Sequence, residues 1–420
     1  MKRIKINLKK LCGVLFSGKS ALAFFLSLIL FLCGYFVNNY PVLPESYLNL
    51  FKHIQKYKDK WSKWDEDFEN VEFVNVGYDK SLVPVLKYDK WLGDEAITDR
   101  RKLCHFLDKI KDVDYKYLII DVMLTESYEK ELDDSLFFRI NNMKRVVVAR
   151  DKEGGICSGL ESKSASAVLK SHLGDNFTRF EYSDKIASIP LYVYNDIRRD
   201  NGMDLVTPHK CFESMTESRL KNALNFFSIY TQGTSLCQNS IFLAFDSYQY
   251  DGNFRKDIGG YGEEKQYARS LGRDILGKVD FDFNKEFGGK YIVIGDLVND
   301  VHDTYMGSKP GSVILMKALK LLDDQKHLVN AWFVALLIVI YYFISMAWLT
   351  DFYFFKKYLW NHLSATARFL LSFVSYGCIL WIISFIDYAV WGTSYSFVIP
   401  MCFLSVIKVI QQIKHKFYEN

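Results

Sequence analysis

The stretch YLIIDVMLTESYEKELDDSLFFRINNMKRVVVA, Tyr117–Ala149, reads as strand, helix, strand. Its opening segment, Tyr117–Leu124, is a short apolar run of the kind buried on both faces of a parallel sheet. Glu129–Asn142 predicts a helix and Arg145–Ala149 a second buried strand. Upstream, Val71–Gly77 (VEFVNVG) reads as another strand. A helix is expected over Ile97–Val113, with Leu103, Phe106, Leu107 and Ile110 on one face and Thr98 or Asp99 near its start. The order β-α-β-α-β is that of a parallel sheet joined by crossover helices.

Downstream, residues 151–215 are irregular and contain Gly and Ser, with a strand expected at Ile189–Tyr194. Glu217–Tyr230 and Tyr261–Leu276 read as helices, Ile241–Phe245 and Tyr291–Gly295 as strands. Pro310–Gly311 breaks the chain before a final helix, Ser312–Leu322. Upstream of the first strand, Pro44–Trp64 repeats apolar residues at spacings of three and four, as an amphipathic helix does.

The 420 residues are 50% hydrophobic and 16% aromatic, yet 24% charged, which suits a membrane protein with a large domain in water. The net charge of +4 is small and does not point to nucleic acid. Ala21–Val37 is an uncharged apolar run preceded by Lys2, Arg3, Lys5, Lys9, Lys10 and Lys19. It reads as an uncleaved anchor with a cytoplasmic N-terminus, since no small-x-small cleavage site follows it. Further apolar runs at about Leu328–Leu349, Phe369–Val390 and Tyr395–Ile410 give three more expected spans. Basic residues at Lys356, Lys357, Arg368, Lys414 and Lys416 would then fall on the cytoplasmic side, with both termini.

The expected fold class is therefore an α/β extracytoplasmic domain with a mostly parallel sheet, plus four transmembrane α-helices. The boundaries are a basic N-terminus at 1–19, a membrane helix at 20–38, the outer domain at 41–327, three membrane helices at 328–410 and a short tail at 411–420. The outer domain would lie in a bacterial periplasm or at the cell surface. Asp387, the one acid inside an expected span, reads as an ion-path residue or as a side chain reaching the outer headgroups.

Ligands of such sheets sit beyond the carboxyl ends of the strands. Asp79, Asp121, Asp246, Asp296, Asp300 and Asp303 fall at or after those ends. Carboxylates so placed suit magnesium or calcium, or an acid/base pair; Asp is equally at home in turns and helix caps. His302, between Asp300 and Asp303, reads as a ligand, a base or a surface-loop histidine. Gly259, Gly260 and Gly262 open a helix that would receive an anion or form a plain turn. The sequence contains no Walker loop, no GxGxxG after a strand, no HExxH and no GxSxG, and no cofactor is expected. Cys104, Cys157, Cys211 and Cys237 lie in the outer domain. Four cysteines permit three pairings, among which sequence does not choose; Cys211 with Cys237 is the disulfide candidate, because the two flank one expected helix, and Cys104 also reads as a buried thiol.

Three stretches carry a family resemblance: GKYIVIGDLVNDVHDTYMGSKPGSVILMKALKLL (Gly289–Leu322), YLIIDVMLTE (Tyr117–Glu126) and VEFVNVGYDKSL (Val71–Leu82). Their order resembles the second type of the CHASE domains, extracellular sensory domains associated with cyclases and histidine kinases. That family shows a GK-strand-IG element, an Asp-Thr turn and a Pro-Gly opening a helix. These correspond to Gly289, Lys290, Gly295, Asp303, Thr304, Pro310 and Gly311, with Asp79 at the acidic position after the first strand. The family's Trp-Pro-rich stretch before its first helix is reduced here to AITDRR, Ala96–Arg101, and with only residues 411–420 after the last apolar run the effector is expected on a separate protein.

The resemblance implies a non-enzymatic sensor or regulatory subunit in which Asp79, Asp121, Asp300, Asp303 and Thr304 are candidate ligand-binding residues. The expected partners are a lipid bilayer, a membrane protein supplying the effector and an unknown periplasmic ligand. The alternatives are an envelope scaffold and an extracytoplasmic enzyme using the Asp cluster.

Overall fold

The computed structural model describes residues 18–38, most of 68–150, parts of 159–208 and 235–266, nearly all of 268–324, residues 331–349 and a few isolated positions. The chain divides into two compact units, one of Met1–Pro44 with Leu328–Asn420 and the other Glu45–His327.

The first unit is described through helices α1 (Gly18–Asn38) and α7 (Ala331–Leu349), which pack on each other. α1 buries Ala23, Ser27, Leu30 and Phe31, and α7 buries Leu337, Tyr341 and Ile344. The Ser20 and Tyr342 hydroxyls lie 2.8 Å apart. Among the described residues no helix is long and apolar enough to cross a membrane, which overturns the expectation of four transmembrane helices. The runs expected to form the third and fourth spans, Phe369–Val390 and Tyr395–Ile410, lie outside the described residues apart from positions 382 and 386.

The second unit is built on a six-stranded parallel sheet. In chain order its elements are β1 (Val71–Asn75), the hairpin β2 (Lys80–Lys87) and β3 (Lys90–Thr98), α2 (Arg100–Ile110), β4 (Tyr117–Asp121), α3 (Lys130–Asn142), β5 (Val146–Arg150) and β6 (Ser164–Ser166). Then come α4 (Ile189–Asp200), β7 (Ala268–Ser270), α5 (Phe283–Phe287), β8 (Tyr291–Gly295), the hairpin β9 (Val301–Thr304) and β10 (Gly307–Pro310), and α6 (Gly311–Asp323). The sheet order is β7-β1-β8-β4-β5-β6, with every pairing parallel. The α/β core with a parallel sheet is thus present. β1, β4, β5 and β8 are fully buried or nearly so, as an apolar run between two helical layers requires.

Alternation sorts the strand residues into two faces. Val74, Leu118, Ile120, Val146, Val148, Ile292 and Ile294 form one core with Leu103, Phe106 and Leu107 of α2 and Leu136 and Ile140 of α3. Phe106 meets Phe287 of α5 edge-on at 5.6 Å. The opposite face is covered by α4 and α6, which also pack on each other. Tyr182, fully buried, ties into this layer by donating to the Ala318 carbonyl at 3.0 Å.

Three expected elements differ from what forms. Ile189–Tyr194 is the start of helix α4, not a strand: Ser188 sits at the cap and Pro190 in the first turn, where a missing N–H costs nothing. Tyr261–Leu276 is not one helix. Ala268–Ser270 instead pairs with β1 at the sheet edge, and Leu271–Leu276 forms a π-helical turn. The helix expected from Ile97 begins at Arg100, because Ile97 and Thr98 belong to β3 and the Asp99 carboxylate caps the N–H groups of Arg101 and Lys102. The helices expected at Pro44–Trp64 and Glu217–Tyr230 lie outside the described residues, save Lys52 and His53.

Candidate functional site

The register sets Asn75, Gly295 and Asp121 side by side at the carboxyl ends of the three central strands. β4 leads to α3 on one face of the sheet, while β8 leads through the β9–β10 hairpin to α6 on the other. Adjacent strands whose connections depart to opposite faces leave a crevice between them, and that is where sheets of this kind hold ligands. A cavity of about 560 Å³ occupies this place. Its polar lining includes Lys80, Glu95, Arg100, Asp121, Asp296, Asp300 and His302, and Ile97, Val122, Met123, Ala149 and Leu315 supply apolar wall.

Asp121 ends β4 on the α6 side of the sheet. Its Oδ2 accepts a 2.6 Å hydrogen bond from the Ser312 hydroxyl in the first turn of α6. Gly295 makes this possible: a Cβ there would collide with Ser312 Oγ. Burial pushes the Asp121 carboxyl up to about 7, and the charge of Asp300 adds to the rise. The Ser312 hydroxyl and His302 act against it. A carboxyl so placed exchanges its proton near neutral pH.

The β9–β10 hairpin returns the chain so that Val301 faces Pro310 and His302 faces Lys309. This brings Asp300 against the start of α6. Its carbonyl accepts from Gly311 N–H at 2.9 Å, and a Cβ at Gly311 would collide with the Asp300 carboxylate. The other side of that carboxylate holds His302 Nε2 at 2.9 Å. The hydrogen bond to Asp300 holds His302 above its ordinary value, against the opposing effect of burial.

Lys80 and Asp296 form an ion pair at 2.8 Å in the cavity wall. Burial opposes ionisation of Asp296, but Lys80 and Asn299 hold its carboxyl below the usual value. Arg100, only 2% exposed, pairs at 3.4 Å with Asp133 of α3, itself buried.

Of the sequence-predicted residues, the structure brings Asp121 and Asp300 together in this cavity, with Asp296 and His302 beside them. Asp79 is buried elsewhere in the loop after β1. It accepts from Lys102 Nζ at 2.6 Å, from Gly272 N–H at 3.0 Å and from Ser270 Oγ at 3.4 Å, so it ties β7 and α2 to the end of β1. Asp303 accepts from Ser308 at 2.6 Å across the β9–β10 hairpin. Thr304 donates to the Gly307 carbonyl at 2.6 Å and accepts from Met306 N–H, which closes the same turn. Asp246, Cys211, Cys237 and the Gly259–Gly262 segment lie outside the described residues. Cys104 is a free, buried thiol whose pKa burial pushes up.

No protein-family model, curated protein or solved structure matches this chain. Among the described residues, no group of three or more His, Cys, Asp or Glu side chains is placed to hold a metal ion. Sequence reading passed over the charged cavity residues Lys80, Glu95 and Arg100, and also Ser312, which stands behind the wall as the partner of Asp121. Ser312 is 191 positions from Asp121, and only the register of β8 with β4 puts them in reach.

Proposed function

We propose that the Glu45–His327 unit is a ligand-binding regulatory domain, which reports the occupancy of its carboxyl-end cavity to a separate partner protein through helix α6. One observation carries this reading: Asp121, in the cavity wall, is bonded directly to Ser312 at the head of α6. A ligand that engages Asp121 competes with that bond, so it has different affinities for the two arrangements of the helix head, as a ligand-driven shift requires. At its far end α6 is held by Asp323, which accepts from the Tyr291 hydroxyl at 3.0 Å and faces Lys116 at 3.8 Å. The helix is thus pinned at both ends and closely packed between them, the condition for moving as one body.

Binding is favoured over catalysis because Ser312, the one hydroxyl bonded to Asp121 among the described residues, is 1% exposed and so is not presented to a substrate. The resemblance to extracellular sensory domains agrees with this reading, as does an extracytoplasmic location. Association with a lipid bilayer belongs to the same proposal. Leu22, Phe24, Phe25 and Ile29 of α1 and Leu336, Val339 and Phe343 of α7 are exposed, and so many large apolar side chains on two helices call for apolar surroundings.

The test is thermal unfolding of the full chain against a panel of small polar compounds, with wild type beside Ala96→Trp. Ala96 is exposed on β3 and lines the cavity, so the indole fills the site without entering the core. At least one compound is expected to raise the wild-type midpoint and leave the variant unmoved; a hundredfold excess over Kd stabilises by about 2.7 kcal/mol. Equal shifts in both proteins, or none in either, contradict the reading.

A further inference from the structure

We infer that the ligand of this cavity is a small organic cation, a primary or secondary amine on a short carbon chain, held by Asp121 in the wall and Glu95 at the hairpin. The inference rests on the binding reading above and assigns its chemistry.

The charges that line the cavity are Lys80, Glu95, Arg100, Asp121, Asp296, Asp300 and His302. The positive ones are occupied. Lys80 is paired with Asp296 at 2.8 Å, Arg100 with Asp133 at 3.4 Å, and His302 with Asp300 at 2.9 Å. Arg150 ends β5, but alternation places it on the face opposite Ala149, the β5 residue that lines the cavity. Two negative groups remain. Asp121 has the neutral Ser312 hydroxyl as its hydrogen-bond partner, and Glu95 is in no ion pair among the described residues. A carboxylate removed from water is stabilised most by an opposite charge that also donates hydrogen bonds, and an ammonium does both. An anion would meet Asp121, Asp296 and Asp300, and among the described lining residues each cation is already in an ion pair.

The remaining wall fits the rest of such a molecule. Ile97, Val122, Ala149 and Leu315 offer apolar surface to a methylene chain, and the volume lies within the range of small-molecule sites. Asp121 must be ionised to hold the cation, so binding tightens with rising pH. Ser312, Asp300 and His302 face this carboxyl. His302, charged at low pH, works in the same direction.

The experiment measures binding of three isosteres to the full chain by calorimetry at pH 6 and pH 8: 1,4-diaminobutane, butane-1,4-diol and succinate. The diamine is expected to bind, more tightly at pH 8. Asp121→Asn should weaken it at least tenfold, and Glu95→Gln, an exposed change that leaves the core untouched, severalfold. Succinate or the diol binding as well as the diamine overturns the amine assignment and leaves the binding reading intact. Failure of all three to bind overturns the assignment as well, and the wider panel with Ala96→Trp then decides the binding reading separately. Diamine binding unchanged in both variants locates it elsewhere and also overturns the inference.

Discussion

Ser312 donates to Asp121 at 2.6 Å across the space left open by Gly295. The three residues come from α6, β4 and β8, and they join the head of α6 to the wall of the carboxyl-end cavity. The missing side chain at Gly295 is therefore a structural requirement of the contact. Gly295→Ala should destabilise the chain by about 1–3 kcal/mol, the usual cost of forcing a group into a packed site. Removing the opposing hydroxyl should relieve part of this, so Ser312→Ala in the Gly295→Ala background should cost less than the sum of the single changes. Urea unfolding of the four proteins checks it; strict additivity would show that the two side chains do not compete for the same space.

Asp121 gives a pH signature of stability. Its native pKa, about 7, lies above the ordinary carboxylate value, so between roughly pH 4 and 7 the native chain holds a proton that the unfolded chain has released. Stability from this group is present at low pH and falls as pH rises through that window, by up to a few kcal/mol. Asp121→Asn keeps an acceptor for Ser312 but cannot ionise. It should flatten the decline and be more stable than wild type at pH 8, as read from denaturant midpoints at pH 5 and pH 8.

Arg100 and Asp133 form an ion pair in which each residue is 2% exposed. Removing one partner strands the other charge away from water, so Arg100→Met should cost about 3–5 kcal/mol. The double change Arg100→Met with Asp133→Leu should recover most of the loss. Thermal midpoints of the two variants decide this, and a double variant no better than the single would contradict it.

How much could be read beforehand follows from what each segment touches. Tyr291–Gly295 was legible to the residue, and Tyr117–Asp121 and Val146–Arg150 nearly so, because a strand buried on both faces is apolar throughout. Ile189–Tyr194 misleads because its aromatic and branched residues suit a strand, while the helix signal lies in Ser188 just ahead of it and Pro190 at its second position. Ala268–Ser270 is a strand only because β1 offers it an edge, which no local pattern records. The hairpin over Lys80–Thr98 escapes sequence reading because Leu82–Leu86 shows no apolar–polar alternation and Pro84 interrupts the run. In the site, Asp121 and Asp300 follow from the rule about strand ends. Ser312 does not, since its role depends on a partner 191 residues away.

Asp79 separates architecture from binding. Its carboxylate accepts from Lys102, Ser270 and Gly272 and does not line the cavity. Asp79→Ala should lower stability by about 2–4 kcal/mol, since it leaves a backbone N–H and a lysine without their acceptor. Ligand affinity of the folded fraction should be unchanged. A large loss of affinity at full folding would place Asp79 in the site after all.

The central claim is that occupancy of the cavity is felt by α6. Amide hydrogen exchange of the full chain, with and without a saturating compound from the panel, tests it most directly. The account predicts altered exchange in the first turn of α6, from Gly311 to Leu315, extending to the Asp323 end. Altered exchange confined to the β2–β3 hairpin and the loop after β4, with α6 unchanged, would contradict it.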